Sequence, residues 1–254
     1  MRVYQNILIT GASSGIGEAL ALHYAKDGAK YLFICGRNAK RLDAVAARCR
    51  NLGAQVYAKI LDITDEKATA AWIAECQDKA PLHLVFANAG VSTTQEVSEN
   101  IRRTFATNVG GVVNTVLPAI EIMQKAPKKQ PKHIVITASI AGYHGLPACP
   151  SYSASKACVK AWGEALRIDL GKRCGIKVST LAPGFVRSRI TDKNTCPMPF
   201  FMEADKAAEL IAKRVDRNVG LIAFPWPMRL GAWLVSILPN TISDLIYRML
   251  PYKV

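Results

Sequence analysis

Short apolar runs alternate along the chain with longer stretches in which apolar positions recur every three or four residues. The runs 7–10, 31–35, 55–60, 82–87, 133–138, 177–181 and 221–224 have strand length and β-branched or aromatic character. Helical periodicity covers 16–27, 39–52, 66–79, 96–124, 152–173 and 204–217. Such regular alternation predicts one doubly wound α/β domain, a parallel sheet of about seven strands with helices on both faces. Ligands of such sheets bind beyond the carboxyl ends of the strands. Past Phe224 the pattern changes. Pro225-Trp226-Pro227-Met228-Arg229-Leu230 leads into an apolar stretch to Leu238, then Pro239 and a second helical stretch through Tyr247 and Leu250. Residues 1–224 are therefore read as the main body and 225–254 as a C-terminal helical extension of the same domain. Apolar and basic residues at helical spacing suit peripheral contact with an anionic membrane. Stripes of this kind more often cap a cleft or pack in a dimer, which is the preferred reading.

The chain has 254 residues, half of them apolar, enough for one large core, and no linker or repeat divides it. The start, Met1 to Asn6, lacks the charge and apolar core of a signal peptide. The apolar stretch 230–238 is too short to span a bilayer. Seven cysteines without a C-x-x-C pair argue against a disulfide framework or zinc site and for reduced thiols in the cytoplasm. His23, His83, His133 and His144 have no metal-ligand spacing, so no metal is expected. Lysine and arginine exceed aspartate and glutamate by 33 to 19, giving a net charge of +14. That excess fits nucleic acid, an anionic membrane or an acidic carrier, or simply a solvated basic surface. No nucleic-acid recognition motif accompanies it, and none is expected as partner. Lys125, Lys128, Lys129 and Lys132 read as a solvated loop.

Between the first strand and first helix stands Thr10-Gly11-Ala12-Ser13-Ser14-Gly15-Ile16-Gly17. Glycines there allow a tight turn, approach of backbone to a pyrophosphate and close helix–strand packing. The helix N-terminus adds free N–H groups and partial positive charge. The spacing G-x-x-x-G-x-G resembles the cofactor motif of the short-chain dehydrogenase/reductase superfamily. Further matches follow in order: Asp62-Ile63 after the third strand, Asn88-Ala89-Gly90 after the fourth and Pro183-Gly184 after the sixth. The likeness covers roughly residues 5 to 224. It implies a Rossmann-like fold that binds a nicotinamide cofactor. Gly11, Ser13, Ser14, Gly15, Ile16 and Gly17 would hold it at the phosphates, Asp62 and Ile63 at the adenine, and Asn88, Ala89 and Gly90 on the adenosine side. Pro183, Gly184, Val186 and Ser188 would approach the nicotinamide, Ser188 standing where the family often has threonine. The second strand ends in Cys35-Gly36-Arg37-Asn38, with no carboxylate to repel a 2′-phosphate. Arg37 offers a charged planar fork instead, so NADP(H) is expected over NAD(H).

Tyr152-Ser153-Ala154-Ser155-Lys156 puts Tyr152 and Lys156 one helical turn apart on a common face. A phenol normally titrates near 10, and a neighbouring ammonium is expected to lower that value. Ser139 falls at the family's serine position, where the hydroxyl would polarise a carbonyl. Asn108 matches the family's asparagine, which shapes its helix and holds a water relaying protons to the lysine. Asn108, Ser139, Tyr152 and Lys156 form the candidate catalytic set, and Tyr152 and Lys156 would also touch cofactor. The likeness implies an NADPH-linked carbonyl reductase or alcohol dehydrogenase using Tyr152 as general acid and base, assembled as a homodimer or homotetramer. A 3-oxoacyl-carrier reductase and a non-catalytic NADP-binding regulator are the alternatives. Residues 189–201, with Pro197, Met198, Pro199, Phe200 and Phe201, read as a flexible lid. Tyr143, His144, Gly145 and Leu146 would form the facing wall, so an apolar small-molecule substrate is expected.

Overall fold

The computed structural model describes residues 4–93, 95–194 and 197–249. Seven strands form one parallel sheet: β1 (Asn6–Thr10), β2 (Tyr31–Gly36), β3 (Gln55–Ile60), β4 (Leu84–Ala87), β5 (His133–Thr137), β6 (Lys177–Pro183) and β7 (Leu221–Phe224). Their order is β3-β2-β1-β4-β5-β6-β7. The chain winds outward from β1 in one direction and from β4 in the other, so the sheet has a switch point between β1 and β4. Register across it pairs Ile7 with Leu84 and Ile9 with Phe86.

Strands covered on both faces should read as largely continuous apolar runs, and β1, β2, β4 and β7 do. Along β1, Ile7 and Ile9 join one core while Leu8 points into the other. Along β2, Leu32 and Ile34 join the first and Phe33 and Cys35 the second. The first core is closed by α1 (Gly15–Lys26), α2 (Ala39–Asn51) and α7 (Ala204–Asp216). The second lies under α3 (Glu66–Lys79), the helical run 98–125 and α6 (Pro150–Cys174). The edge strand β3 alone is mostly exposed.

Two differences from the sequence expectation shape the site. The predicted helix 96–124 is α4 (Ser98–Phe105), a π-helical turn (Ala106–Gly110) and α5 (Gly111–Lys125). At Gly111 a Cβ would stand 2.4 Å from the Ile63 side chain, so only glycine lets this helix pass so close to the end of β3. The run 98–125 is long and apolar enough to cross a bilayer, unlike the stretch 230–238. Here Val112, Val116, Ala119, Ile120 and Met123 bury its inner face in the second core. The other difference is that β6 continues to Pro183, pairing Ala182 and Pro183 with Ala223 and Phe224. Among the described residues the extension forms two helices, α8 (Trp226–Ile237) and α9 (Asn240–Met249).

Candidate active site

The turn after β1 is the first wall of the site. Gly11 and Gly15 take φ of +69° and +59°, a region that side chains strain to enter. At Gly17 a Cβ would lie 2.3 Å from the Gly11 carbonyl oxygen. Across the switch point, the Thr10 hydroxyl accepts from the backbone N–H groups of Asn88 and Ala89 at 3.0 and 3.2 Å. Asn88 Nδ2 in turn donates to the Thr10 carbonyl at 3.0 Å. These bonds knit the ends of β1 and β4.

A cavity of about 520 Å³ opens over these strand ends. All the candidate site residues line it except Gly17 and Asn108. Gly17 lies behind the turn, and Asn108 clamps its neighbourhood from the π-helical turn. Asn108 Oδ1 accepts from Val91 N at 2.8 Å, while Nδ2 donates to Val91 O at 2.9 Å and Ser155 Oγ at 3.0 Å. The side chain is thus fully used in tying the segment after β4 to α6.

At the end of β2, Arg37 leans toward Asp62 at 3.4 Å, both about half exposed. Burial pushes the Asp62 carboxyl up, but Thr64 hydrogen bonds and the Arg37 guanidinium outweigh this and hold it below the usual range. Arg41, which the motif reading missed, enters the same end of the cavity, and its Nε is buried without a partner. Its signal lay one helical turn beyond Arg37, where Asn38 caps α2 by accepting from Arg41 N at 3.0 Å. Among the described residues, the charged ones lining the cavity are Arg37, Arg41, Arg103, Lys156 and Arg189 against Asp62 alone. That imbalance and the glycine cradle fit a phosphate-rich dinucleotide.

The chemical end is built where β5 meets α6. Ser139 caps a 3₁₀ turn (Ile140–Gly142), its Oγ accepting from Ala141 N at 3.1 Å and donating to Pro183 O at 3.4 Å. That turn lies directly on α6: a Cβ on Gly142 would stand 2.7 Å from the Lys156 carbonyl carbon. Ser153 fastens the loop as well, donating to Ala141 O and His144 O at 2.6 and 2.8 Å. Gly142 and Ser153 also escaped the motif reading, because their importance is a matter of contact across the site. Lys156 is buried and donates to Thr137 O at 2.8 Å, with Nζ 5.8 Å from the Tyr152 ring centre. Burial pushes the Lys156 ammonium down to about 8. It pushes the Tyr152 phenol up to about 12, opposed by the neighbouring Ser139 hydroxyl. The expectation that Lys156 lowers the phenol is not met, because desolvation of the phenolate outweighs a cation that is aimed at Thr137. In this state Tyr152 is a neutral proton donor.

The substrate side combines segments far apart in sequence. Ser188, Ile190 and Thr191 line the cavity, and Ser188 N donates to the buried Thr191 hydroxyl at 2.8 Å. Residues 195 and 196 of the expected lid lie outside the described residues; Arg187 anchors its far end by a two-point ion pair with Glu203. Tyr143, His144, Gly145 and Leu146, expected as the facing wall, do not line the cavity; the extension packs on them, His144 and Tyr247 lying 5.2 Å apart ring to ring. A Cβ on Gly184 would meet Met228 Sδ at 2.9 Å. These helices thus lie against the Ser139–Tyr152 loop and the Pro183-Gly184 turn, while no described residue of theirs lines the cavity. Their outer face carries exposed Trp226, Trp233, Ile237 and Leu245.

An open parallel sheet with a glycine-turn cleft at its switch point defines a Rossmann-like nucleotide-binding scaffold. Residues 5–197 match the short chain dehydrogenase family, and the chain belongs to it. It is therefore an oxidoreductase of a family that uses nicotinamide cofactors. An uncharacterized oxidoreductase of Myxococcus xanthus is 36% identical, the match covering 97% of this chain and 98% of the relative. The 11-beta-hydroxysteroid dehydrogenase-like 4A of Arabidopsis thaliana is 30% identical over 92% of this chain and 81% of its own. Among solved structures, a short-chain dehydrogenase from Sphingobium yanoikuyae in complex with NADPH superposes with a TM-score of 0.77. It is 27% identical, with 92% and 96% of the two chains covered. A short chain dehydrogenase/reductase from Burkholderia phymatum in complex with NAD gives 0.81 at 24% identity, covering 97% of each chain.

Proposed function

We propose that the protein is an NADPH-preferring carbonyl reductase or alcohol dehydrogenase acting on an apolar ketone or the corresponding alcohol. The observation that carries this reading is the convergence of Ser139, Tyr152 and Lys156 on the cavity that the glycine turn opens. When bound, the nicotinamide cofactor supplies or accepts the hydride. The turn at Gly11–Gly17 and the N-terminus of α1 receive its phosphates. Ser139 Oγ holds the substrate oxygen, and Tyr152 Oη gives it a proton as negative charge develops there. Lys156 would hold the ribose side of the cofactor, its ammonium kept in place by the Thr137 carbonyl. A neutral phenol can give its proton to a carbonyl oxygen during reduction.

Arg37 and Arg41, whose buried Nε has no partner, support NADPH over NADH. Replacing both by alanine is expected to raise KM for NADPH at least about tenfold while KM for NADH changes less than about threefold, since paired charge-assisted contacts of this kind contribute about 1.5–3 kcal/mol. Equal losses for both cofactors would remove the 2′-phosphate assignment. The apolar substrate is supported by Ile190 on the cavity and Met228 at its edge, and by the steroid dehydrogenase name of the Arabidopsis relative. Exposed Phe105, Leu117 and Ile168 on α4, α5 and α6 support a homo-oligomer formed through those helices, to be measured by light scattering. None of the six described cysteines is in a disulfide, which supports a reducing compartment such as the cytoplasm.

The test is NADPH oxidation followed with cyclohexanone, acetophenone, decanal and acetoacetyl-CoA, comparing the wild type with Tyr152→Phe. Turnover that is lost in the variant supports the reading. Turnover surviving in Tyr152→Phe, or absence of NADPH binding, overturns it.

A further inference from the structure

The helix that carries Tyr152 has an unusual cap. Cys149 at its N-cap makes no side-chain capping bond, and Pro150 in the first helical position has no N–H. The first free donor is Ser151 N, next to the catalytic tyrosine. Its partner comes from 55 residues earlier: Glu96 Oε1 and Oε2 accept from Ser151 N at 3.2 and 3.3 Å. Glu96 Oε1 also accepts from Ser151 Oγ at 2.7 Å. A carboxylate suits this place, where the helix dipole is positive.

Glu96 belongs to the segment between β4 and α4, whose beginning is held by Asn108 through both polar atoms of the Val91 backbone. Ser92, just after it, lines the cavity. The segment is thus tied to α6 in two places, at Ser155 through Asn108 and at Ser151 through Glu96, on either side of Tyr152. The second tie bears on the turn from which the phenol projects.

We propose that Glu96 is a positioning residue for Tyr152: its carboxylate fixes the first turn of α6, and with it the approach of the phenol to Ser139 and the substrate oxygen. The proposal rests on the proton-donor reading of Tyr152. Glu96 lies outside the cavity lining, so removing it leaves the binding surfaces for cofactor and substrate in place. The loss therefore falls on the chemical step, which tolerates about an ångström of misplacement poorly.

Glu96→Ala, Glu96→Gln and Tyr152→Phe would be compared with the wild type on NADPH and the best ketone or aldehyde of the four above. Glu96→Ala is expected to lower kcat at least about tenfold, with KM for NADPH and for the carbonyl within about twofold. Glu96→Gln keeps an acceptor for Ser151 and should recover kcat to within about threefold of the wild type. Hydrogen exchange adds a readout that needs no turnover: the Ser151 amide should exchange at least about tenfold faster in Glu96→Ala and remain protected in Glu96→Gln. Unchanged kcat or unchanged Ser151 exchange in Glu96→Ala overturns the proposal while leaving Tyr152 as the donor. A parallel rise in both KM values, unrelieved in Glu96→Gln, also overturns it by showing general loosening. Full turnover in Tyr152→Phe overturns the reading of the site and this proposal with it.

Discussion

Tyr152→Phe is expected to lower kcat by a factor of about 10² to 10⁴, the range supplied by a positioned general acid. The substitution removes one oxygen and keeps the ring, so α6, its contact with Gly142 and the Lys156 bond to Thr137 O should persist. NADPH affinity, measured by fluorescence titration, should stay within about threefold, because a threefold change in affinity is only about 0.7 kcal/mol. The loss then belongs to the transition state and not to binding. A variant with normal turnover would show that the proton comes from elsewhere.

The pH profile follows from the same pair. With the phenol pushed up to about 12, Tyr152 keeps its proton throughout the physiological range. Lys156, pushed down to about 8, loses its proton above that pH, and with it the cation that would hold the cofactor's ribose side. Reduction should therefore be level below about pH 7 and decline above about pH 8, kcat/KM reporting the free enzyme. A lysine at its ordinary value would hold the rate level to about pH 10. A profile that is level to pH 10 would sink this assignment.

Most elements of the fold were legible because strands covered on both faces must be largely apolar, as β1, β2, β4 and β7 are, whereas the exposed edge strand β3 carries Gln55 and Lys59 and β6 carries Ser179 and Thr180. The glycine turn and the pair Tyr152 and Lys156 were legible for a related reason, since their function depends on spacing within one local element. Arg41, Gly142 and Glu96 were not. Glu96 lies within a stretch read as helix, but α4 starts at Ser98, which frees Glu96 to reach Ser151. Gly142 matters because the Ser139 turn lies against the backbone of α6, a contact without sequence periodicity. The direction of the Tyr152 shift was missed for a third reason. Spacing gives the nearness of a lysine, but the cost of burying the phenolate depends on everything packed around it.

Gly17→Ala should be the most damaging small substitution in the protein. Its Cβ would stand 2.3 Å from Gly11 O, 2.9 Å from Gly11 C and 2.6 Å from Asn88 Nδ2. Two of these are backbone atoms of the turn itself, so relief requires α1 to move away from β1. That movement also disturbs Asn88, whose Nδ2 joins the two strands through Thr10 O. The expected cost is about 3 kcal/mol, at the upper end for overpacking a tight core. In a domain of this size that lowers Tm by about 6–12 °C. NADPH affinity should fall at least about tenfold, because the displaced helix end is the one that receives phosphate. Gly171→Ala supplies the contrast within the same chain. Gly171 is an exposed residue of α6 where an added Cβ meets nothing within 4 Å, so alanine should stabilise the helix by about 0.8–1 kcal/mol. Opposite signs from one added methyl group, read by thermal unfolding, would locate the requirement for glycine in the approach of α1 to the turn. A Gly17→Ala protein that melts and binds NADPH as the wild type does would refute that requirement.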